Sequence, residues 1–161
     1  GMNILIMYYS RSGNTRKLAE AVAEGALMVE GSQCILKDTS EVAQNDFLSC
    51  DALIAGSPVY FGGMVHEMKR VFDEFVGIRK KMENKIGAAF ATGGDPTGGK
   101  ETTLFSIIQA MLIYGMIIVG DPMDATGHYG VACVGAPDAA AKASARKLGH
   151  RVAELAGKLS A

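Results

Sequence analysis

Three glycine-rich loops, each placed where a hydrophobic run ends, constrain the fold of this chain more than any other feature. They cover residues 10–15, 57–63 and 92–99, and each leads into a segment with helical periodicity. The carboxyl ends of parallel strands lie at one edge of an open α/β sheet, and ligands bind at that edge. We therefore expect the three loops to meet around a single ligand.

Short apolar runs alternate with helix-like segments along the whole chain. The runs predict strands at residues 3–8, 33–37, 51–56, 86–91 and 116–120. The helix-like segments are residues 15–29, 41–48, 64–76, 101–114 and 138–158. Alternation of this kind is typical of an α/β fold, in which helices cover both faces of a parallel sheet. We expect one domain over residues 2–161, with Gly1 as a tag remnant.

Composition excludes several classes of function. The chain has 161 residues and a net charge of −1, so it lacks the basic surface that nucleic acids require. No apolar run approaches the roughly 20 residues of a membrane span. The three cysteines form no CxxC or Cys/His pattern. We expect a cytoplasmic protein with no metal site, no nucleic-acid partner and no membrane span.

The first loop has the composition of an anion site. Hydroxyl and amide side chains at Ser10, Ser12, Asn14 and Thr15 stand where a strand leads directly into a helix. Backbone N–H groups at a helix N-terminus bind phosphate without needing a lysine. Arg11 could add a contact but is expected to point to solvent. The alternative is an ordinary helix start with Asn14 or Thr15 as its N-cap.

The other two loops suit a flat ring. Residues 94–101 nearly match the P-loop pattern GxxxxGK[ST], but Glu101 replaces the hydroxyl residue that would hold Mg²⁺, which argues against nucleotide hydrolysis. A glycine-rich loop of this length can instead lay N–H groups along a polar ring edge. Tyr60 and Phe61 in the second loop can flank such a ring, or simply pack on the edge of the sheet. His128, beside Tyr129 in a glycine-flanked loop, is a candidate for the substrate side.

The three loops together resemble the flavodoxin-like superfamily, and most closely its WrbA-type NAD(P)H:quinone oxidoreductases. Residues 8–15 resemble the loop that binds the FMN phosphate, and residues 56–64 resemble the family's GxPxxFGxM segment. Residues 98–104 and 114–120 resemble its GGQE(T/Q)T segment and its HGMxIVG strand. Residues 128–130 resemble a later PYG turn.

The resemblance implies a flavodoxin-like three-layer sandwich with a five-stranded parallel sheet in the order 2-1-3-4-5. It also implies FMN as cofactor, NAD(P)H as co-substrate and a homo-oligomer, either a dimer or a tetramer. Tyr114 stands where the family usually has a histidine that contacts the ring, and no catalytic side chain is expected because the flavin does the chemistry. The implied cofactor-binding residues are Ser10, Arg11, Ser12, Gly13, Asn14, Thr15, Pro58, Val59, Tyr60, Phe61, Gly62, Thr92, Gly93, Gly94, Asp95, Pro96, Thr97 and Tyr114. His128 and Tyr129 are implied on the substrate side.

The chain departs from the family where nicotinamide or quinone would stack. The family's insertion with its tryptophan is absent, residues 77–85 are short and basic, and the loop at residues 121–129 is shorter. The expected function is two-electron transfer from NAD(P)H to a quinone-type acceptor by ping-pong hydride transfer. The alternatives are an FMN-binding electron carrier without reductase activity, and a protein of the same fold without flavin.

Overall fold

Six parallel strands form one sheet in the computed structural model, which describes all residues from 1 to 161. The strands are β1 (Met2–Tyr8), β2 (Ser32–Asp38), β3 (Ala52–Pro58), β4 (Ile86–Gly93), β5 (Ile117–Ile118) and β6 (Val131–Val134). The helices are α1 (Asn14–Leu27), α2 (Gln44–Ser49), α3 (His66–Glu74), α4 (Lys100–Ile113) and α5 (Ala139–Ser160). A 3₁₀ segment (Phe75–Met82) continues α3. None of the helices combines the length and the apolar composition that a membrane crossing requires.

The predicted strand order is confirmed. The strand order in the sheet is β2-β1-β3-β4-β5. β2 is added on one side of β1 and β3 on the other, so the order of strands reverses between β1 and β3. In the ladder Tyr8 lies opposite Gly56, and Gly56 lies opposite Phe90. The carboxyl ends of β1, β3 and β4 are therefore level, and the three glycine-rich loops leave the sheet side by side.

The fifth position of the sheet differs from the prediction of one strand at residues 116–120. It is shared by two short strands that both pair with β4: β5 lies beside Ile86 and Gly87, and β6 lies beside the segment from Phe90 to Gly93. The chain leaves the sheet after Val119, whose N–H makes the last hydrogen bond to β4 on this side, and Pro122, which cannot donate to a ladder, follows in the loop. The run at residues 131–134 then completes the edge, and the sequence analysis did not identify it as a strand.

Alternate residues of β1 face two separate cores, as expected of a strand that is covered on both faces. Ile4 and Ile6 pack in the core beneath α1 and α5. Leu5 and Met7 pack in the core beneath α3 and α4. The sheet is thus the middle layer of a three-layer sandwich, as the sequence predicted.

Two glycines allow α1 and α5 to lie in backbone contact. A Cβ atom on Gly25 would stand 1.8 Å from the carbonyl oxygen of Arg146, and one on Gly149 would stand 2.0 Å from that of Val22. Both distances are far below van der Waals contact, so only glycine fits at either position. This contact fixes the axis of α1, whose N-terminus follows the first loop.

We expect Gly25→Ala to lower the free energy of unfolding by about 2–3 kcal/mol, because the new methyl group must push the two helices apart. Gly77→Ala is the matched control, since a Cβ atom there has no neighbour within 4 Å. Denaturant unfolding followed by circular dichroism measures both. Equal stability of the two variants would contradict close packing of α1 on α5.

Candidate functional site

Hydrogen bonds tie the three loops together at the carboxyl edge of the sheet. The backbone N–H of Tyr9 donates to the Gly56 carbonyl (3.2 Å), and that of Val59 donates to the Thr92 carbonyl (2.8 Å). The hydroxyls of Thr15 and Thr92, both buried, are 2.7 Å apart. The first loop is thereby joined to the start of the third, and the second lies between them.

The first loop presents free N–H groups at the N-terminus of α1. Gly13 is the N-cap with a left-handed backbone (φ 99°), and it has no side chain with which to cap the helix. The Ser10 hydroxyl accepts from the N–H groups of Gly13 (3.1 Å) and Arg16 (3.3 Å). The backbone N–H groups of Ser12 and Asn14 have no acceptor in the protein. Uncapped N–H groups at a helix N-terminus attract an anion.

The alternative of an ordinary start capped by Asn14 or Thr15 is wrong for this loop. Both residues lie inside α1, and the Thr15 hydroxyl is paired with Thr92 in the interior. The side chain of Thr15 therefore points toward the sheet. Only its backbone N–H, which has no acceptor in the protein, is left to bind a ligand.

The second loop is a tight turn with an aromatic side chain at its tip. Tyr60 and Gly63 exchange two backbone hydrogen bonds, both 3.1 Å. The two residues between them have positive φ, 50° for Phe61 and 77° for Gly62, as in a type I′ turn. A phenylalanine with positive φ is uncommon. Its ring is fully exposed, so the turn holds an apolar surface in solvent beside the site.

Arg11 is exposed and lies beside Tyr60, which links the first loop to the second. The nearby Tyr60 phenol raises the pKa of Arg11. The prediction that Arg11 points to solvent is confirmed, because the residue is exposed. The arginine remains a positive charge at the rim of the site, because no carboxylate lies within ion-pair distance of it.

The third loop is ordered by its own aspartate. The Asp95 carboxylate accepts from the backbone N–H of Thr97 (2.8 Å) and from its hydroxyl (3.1 Å). The N–H groups of Gly94 and Asp95 have no acceptor in the protein. Residues 94–98, which include Pro96, are exposed. A Cβ atom on Gly99 would lie 2.8 Å from the Cα atom of Gly62, so this loop contacts the second one at its far end.

Tyr114 does not belong to this edge, and its predicted ring contact is corrected by the structure. It follows α4 at the opposite edge of the sheet, where Gly115 accepts from the N–H of Asn84 just before β4 begins. The phenol is buried and donates to the Phe72 carbonyl (2.5 Å). Burial raises its pKa to about 12. The side chain packs edge-on against Phe47 and Phe72 in the core.

His128 and Tyr129 are exposed and lie near the start of α4. The Tyr129 ring packs against Phe105 with the ring centres 4.8 Å apart. Both residues line a cavity of about 240 Å³ that also reaches Lys100, immediately after the third loop. The larger surface groove of the molecule, about 650 Å³, lies elsewhere, along the outer face of α5.

Asp121 is a feature of this cavity that the sequence analysis did not single out. Its carboxylate is buried, and neither oxygen has a hydrogen-bond partner. Burial raises the pKa of this carboxyl, and the approach of backbone N–H groups, including those of Gly130 and Gly127, offsets only part of that effect. The sequence shows only a single aspartate directly after a predicted strand. Its burial depends on the position of residues 127–130 and could not be predicted from the sequence.

We expect Thr92→Val to lower the free energy of unfolding by about 1–3 kcal/mol, because it leaves the Thr15 hydroxyl buried without a partner. The double variant Thr15→Val/Thr92→Val should cost less than the two single changes added together, since it removes both polar groups. Denaturant unfolding of the four proteins measures the coupling. Strict additivity would show that the two hydroxyls do not interact.

Comparison with known proteins places the chain among flavoproteins. It is 37% identical to a protein named flavodoxin from Aquifex aeolicus, over 158 residues that cover 94% of this chain and 85% of the relative. It is 36% identical to a protein named NAD(P)H dehydrogenase (quinone) from Archaeoglobus fulgidus, over 188 residues that cover 97% and 98%. That aligned stretch is longer than the whole chain of 161 residues, so the archaeal relative carries segments that this chain lacks.

A solved structure agrees with the sequence relatives. The structure described as that of a flavodoxin, WrbA-like protein from Agrobacterium tumefaciens superimposes with a TM-score of 0.84 at 25% identity, covering 98% of this chain and 99% of the other. The sequence model of the NADPH-dependent FMN reductases matches residues 2–129. These comparisons confirm the predicted resemblance to flavin oxidoreductases, with FMN as cofactor and NAD(P)H as co-substrate. The chain belongs to the NADPH-dependent FMN reductase family.

Proposed function

We propose that this protein is an FMN-dependent oxidoreductase that transfers two electrons from NAD(P)H to a quinone-type acceptor in ping-pong order. The observation that carries the proposal is the convergence of three loops with free N–H groups at one edge of the sheet. Family membership supports the flavin and the nicotinamide donor. FMN would supply the two-electron chemistry when bound: it would take a hydride from NAD(P)H and pass a hydride equivalent to the acceptor, which would take its second proton from solvent.

The first loop would hold the FMN phosphate. A phosphate needs several donors and a positive environment, and the N–H groups of Ser12, Asn14 and Thr15 have no other acceptor. The N-terminus of α1 adds its dipole, because no acidic side chain lies in its first turn. Ser10 and Gly13 would shape the loop, and Arg11 would add a charge at its rim.

The second and third loops would hold the flavin ring. Residues 58–62 would line one side of it, with Val59, Tyr60 and Phe61 as the contacts. Residues 92–97 would meet its polar edge, where the free N–H groups of Gly94 and Asp95 would support negative charge on the reduced ring. Asp95 itself holds the loop in shape through Thr97.

The acceptor would enter beside His128 and Tyr129, which are exposed next to the third loop. We assign no protein acid or base to the transfer, because hydride and electrons pass between the flavin and its substrates. We further propose that the protein is cytoplasmic, in keeping with three cysteines that form no disulfide. From the family resemblance we also propose a homo-oligomer.

The second candidate is an FMN-binding electron carrier. It is favoured by the absence of segments that the archaeal NAD(P)H dehydrogenase (quinone) relative carries, and by similarity to the Aquifex flavodoxin over 158 residues. Without those segments the nicotinamide has less surface to stack on. A carrier would instead take electrons from a protein donor.

We expect Ser10→Asp to weaken FMN binding by roughly 10- to 100-fold, because a carboxylate would occupy the N–H groups of Gly13 and Arg16 and repel the phosphate. Ser10→Ala is the control, since it removes the hydroxyl without adding charge and should change affinity much less. Quenching of flavin fluorescence measures both. Riboflavin, which lacks the phosphate, should bind both variants equally. Unchanged FMN affinity in the aspartate variant would place the phosphate elsewhere.

The visible spectrum of the FMN-loaded protein distinguishes the two functions. On anaerobic addition of NADH or NADPH, we expect the flavin absorption to bleach rapidly and to return when a quinone is added. Flavin that stays oxidised with both nucleotides but is reduced by dithionite would favour the carrier.

A further inference from the structure

The loop between β5 and β6 folds back on itself around the side chain of Asp121. A Cβ atom on Gly120 would lie 2.0 Å from the carbonyl oxygen of His128, so the two halves of the loop are in backbone contact. A Cβ atom on Gly127 would lie 2.2 Å from Oδ2 of Asp121. Only glycine fits at either position, because both distances are far below van der Waals contact. The carboxyl group thus fills the space that the loop encloses.

Side chains of α5 hold the first half of this loop. The Arg151 guanidinium donates to the carbonyls of Gly120 (2.8 Å) and Asp121 (3.0 Å). The Lys147 ammonium donates to the carbonyl of Asp124 (2.8 Å). The backbone of Asp121 is therefore fixed independently of its carboxyl group.

The second half of the loop has few hydrogen bonds of its own. None of the backbone N–H groups from Thr126 to Gly130 donates to a backbone carbonyl. The N–H groups of Gly127 and Gly130 instead approach the carboxyl group of Asp121. The Thr126 hydroxyl lies 3.3 Å from that of Ser144 on α5. The carboxyl group is therefore the polar centre around which this half of the loop is folded.

No positive charge lies within ion-pair distance of the Asp121 carboxyl group. Three titratable side chains line the same cavity, namely His128 on the loop and Lys100 and Glu101 at the start of α4. On the side of α5, the Arg151 guanidinium is directed to backbone carbonyls, and β6 lines the cavity with apolar residues. An ionised carboxylate here would be desolvated without compensation.

A proton on this carboxyl group removes the difficulty. The Cβ position of Gly127, 2.2 Å from Oδ2 of Asp121, is also 2.9 Å from the carbonyl oxygen of Gly130, so two oxygen atoms share this side of Gly127. A carboxylate can only accept hydrogen bonds, whereas a protonated carboxyl group can also donate one to a carbonyl. In keeping with this, burial raises the pKa of Asp121 above its ordinary value of 3.8.

We propose that Asp121 is a positioning residue for the side where the quinone would enter: its protonated carboxyl group holds residues 127–130 closed and so sets His128 and Tyr129 beside the third loop. The role of those two residues toward a quinone rests on the proposed function. Loss of the proton leaves an uncompensated charge in the enclosed space, and the loop loosens. This side of the site is therefore ordered at low pH and loosened as the pH rises.

The same proton contributes to stability. Because the pKa of Asp121 is higher in the folded chain than in the unfolded chain, the folded chain binds the proton more tightly. The contribution is complete below the ordinary value of 3.8 and is lost as the pH rises through the raised value. Asp121→Asn, which is neutral at every pH, should therefore raise Tm above that of the wild type at about pH 8, and by much less in acid.

Amide hydrogen exchange of the full chain without flavin, corrected for the intrinsic pH dependence of exchange, tests the loop directly. The protection of Gly127 and Gly130 should fall as the pH rises, by up to about 10-fold per pH unit above the raised pKa. Asp121→Asn should keep both amides protected throughout, since an amide side chain can accept and donate. Asp124→Asn is the matched control, at an aspartate of the same loop whose side chain is exposed, and should behave as the wild type does.

Steady-state kinetics of the FMN-loaded protein test the connection to the quinone. Asp121→Ala, whose side chain can neither accept nor donate, should raise KM for a quinone by about 10-fold, the effect of one lost hydrogen bond. The affinity for FMN should not change, because the three glycine-rich loops stay joined. Asp121→Asn should restore the low KM and abolish the rise of KM with pH that we expect in the wild type.

Several results would overturn the proposal: wild-type protection that is independent of pH, an Asp121→Asn variant that loosens with pH as the wild type does, or an unchanged KM in Asp121→Ala. Circular dichroism establishes that each variant is folded, and the wild type and Asp121→Asn decide the matter if the alanine variant is not. Wild-type flavin that NAD(P)H does not reduce would count against the proposed function alone, because the exchange experiment needs neither flavin nor activity.

Discussion

The parallel ladder through β1, β3 and β4 is the constraint on which the site depends. Each strand is hydrogen-bonded on both sides, and Tyr8, Gly56 and Phe90 lie level across the ladder. A shift of one residue in any strand would move its loop by about 3.3 Å and turn its core residues to the wrong layer. The apolar pattern of each strand therefore determines its core faces and also the relative height of the three loops. The Thr15–Thr92 hydrogen bond adds a direct link between two of them.

Features set by local pattern were predictable from the sequence. Apolar runs bounded by turn residues gave the positions of β1 to β4, and helical periodicity gave α1, α4 and α5 to within three residues at each end. The edge of the sheet was harder. β5 has only two residues, and β6 is recognisable only once β4 offers a free edge beside Phe90. Pairing between segments distant in sequence leaves no periodic signal in so short a strand.

Site residues divide in the same way. The loops at residues 10–15, 57–63 and 92–99 were identified by composition, and the structure brings them together. Tyr114 was assigned by position in a family motif, but its phenol finds a buried acceptor at Phe72 and neighbours in an aromatic cluster. The N-cap of α1 could not be predicted from local residue preference. Thr15 is a good N-cap residue in isolation, but its hydroxyl is paired with that of Thr92, and Gly13 is the N-cap.

The two short strands at the edge of the sheet, β5 and β6, hold the ends of the loop between them and separate it from the rest of the sheet. The N–H of Val119 donates to the Gly87 carbonyl on one side, and that of Gly135 donates to the Gly93 carbonyl on the other. The loop that carries His128 and Tyr129 is thus anchored at both ends on a single strand, β4. Its length and sequence can change without moving the three glycine-rich loops. Substitutions in this loop would therefore reshape the surface beside the third glycine-rich loop, while the hydrogen bonds among the three glycine-rich loops stay in place.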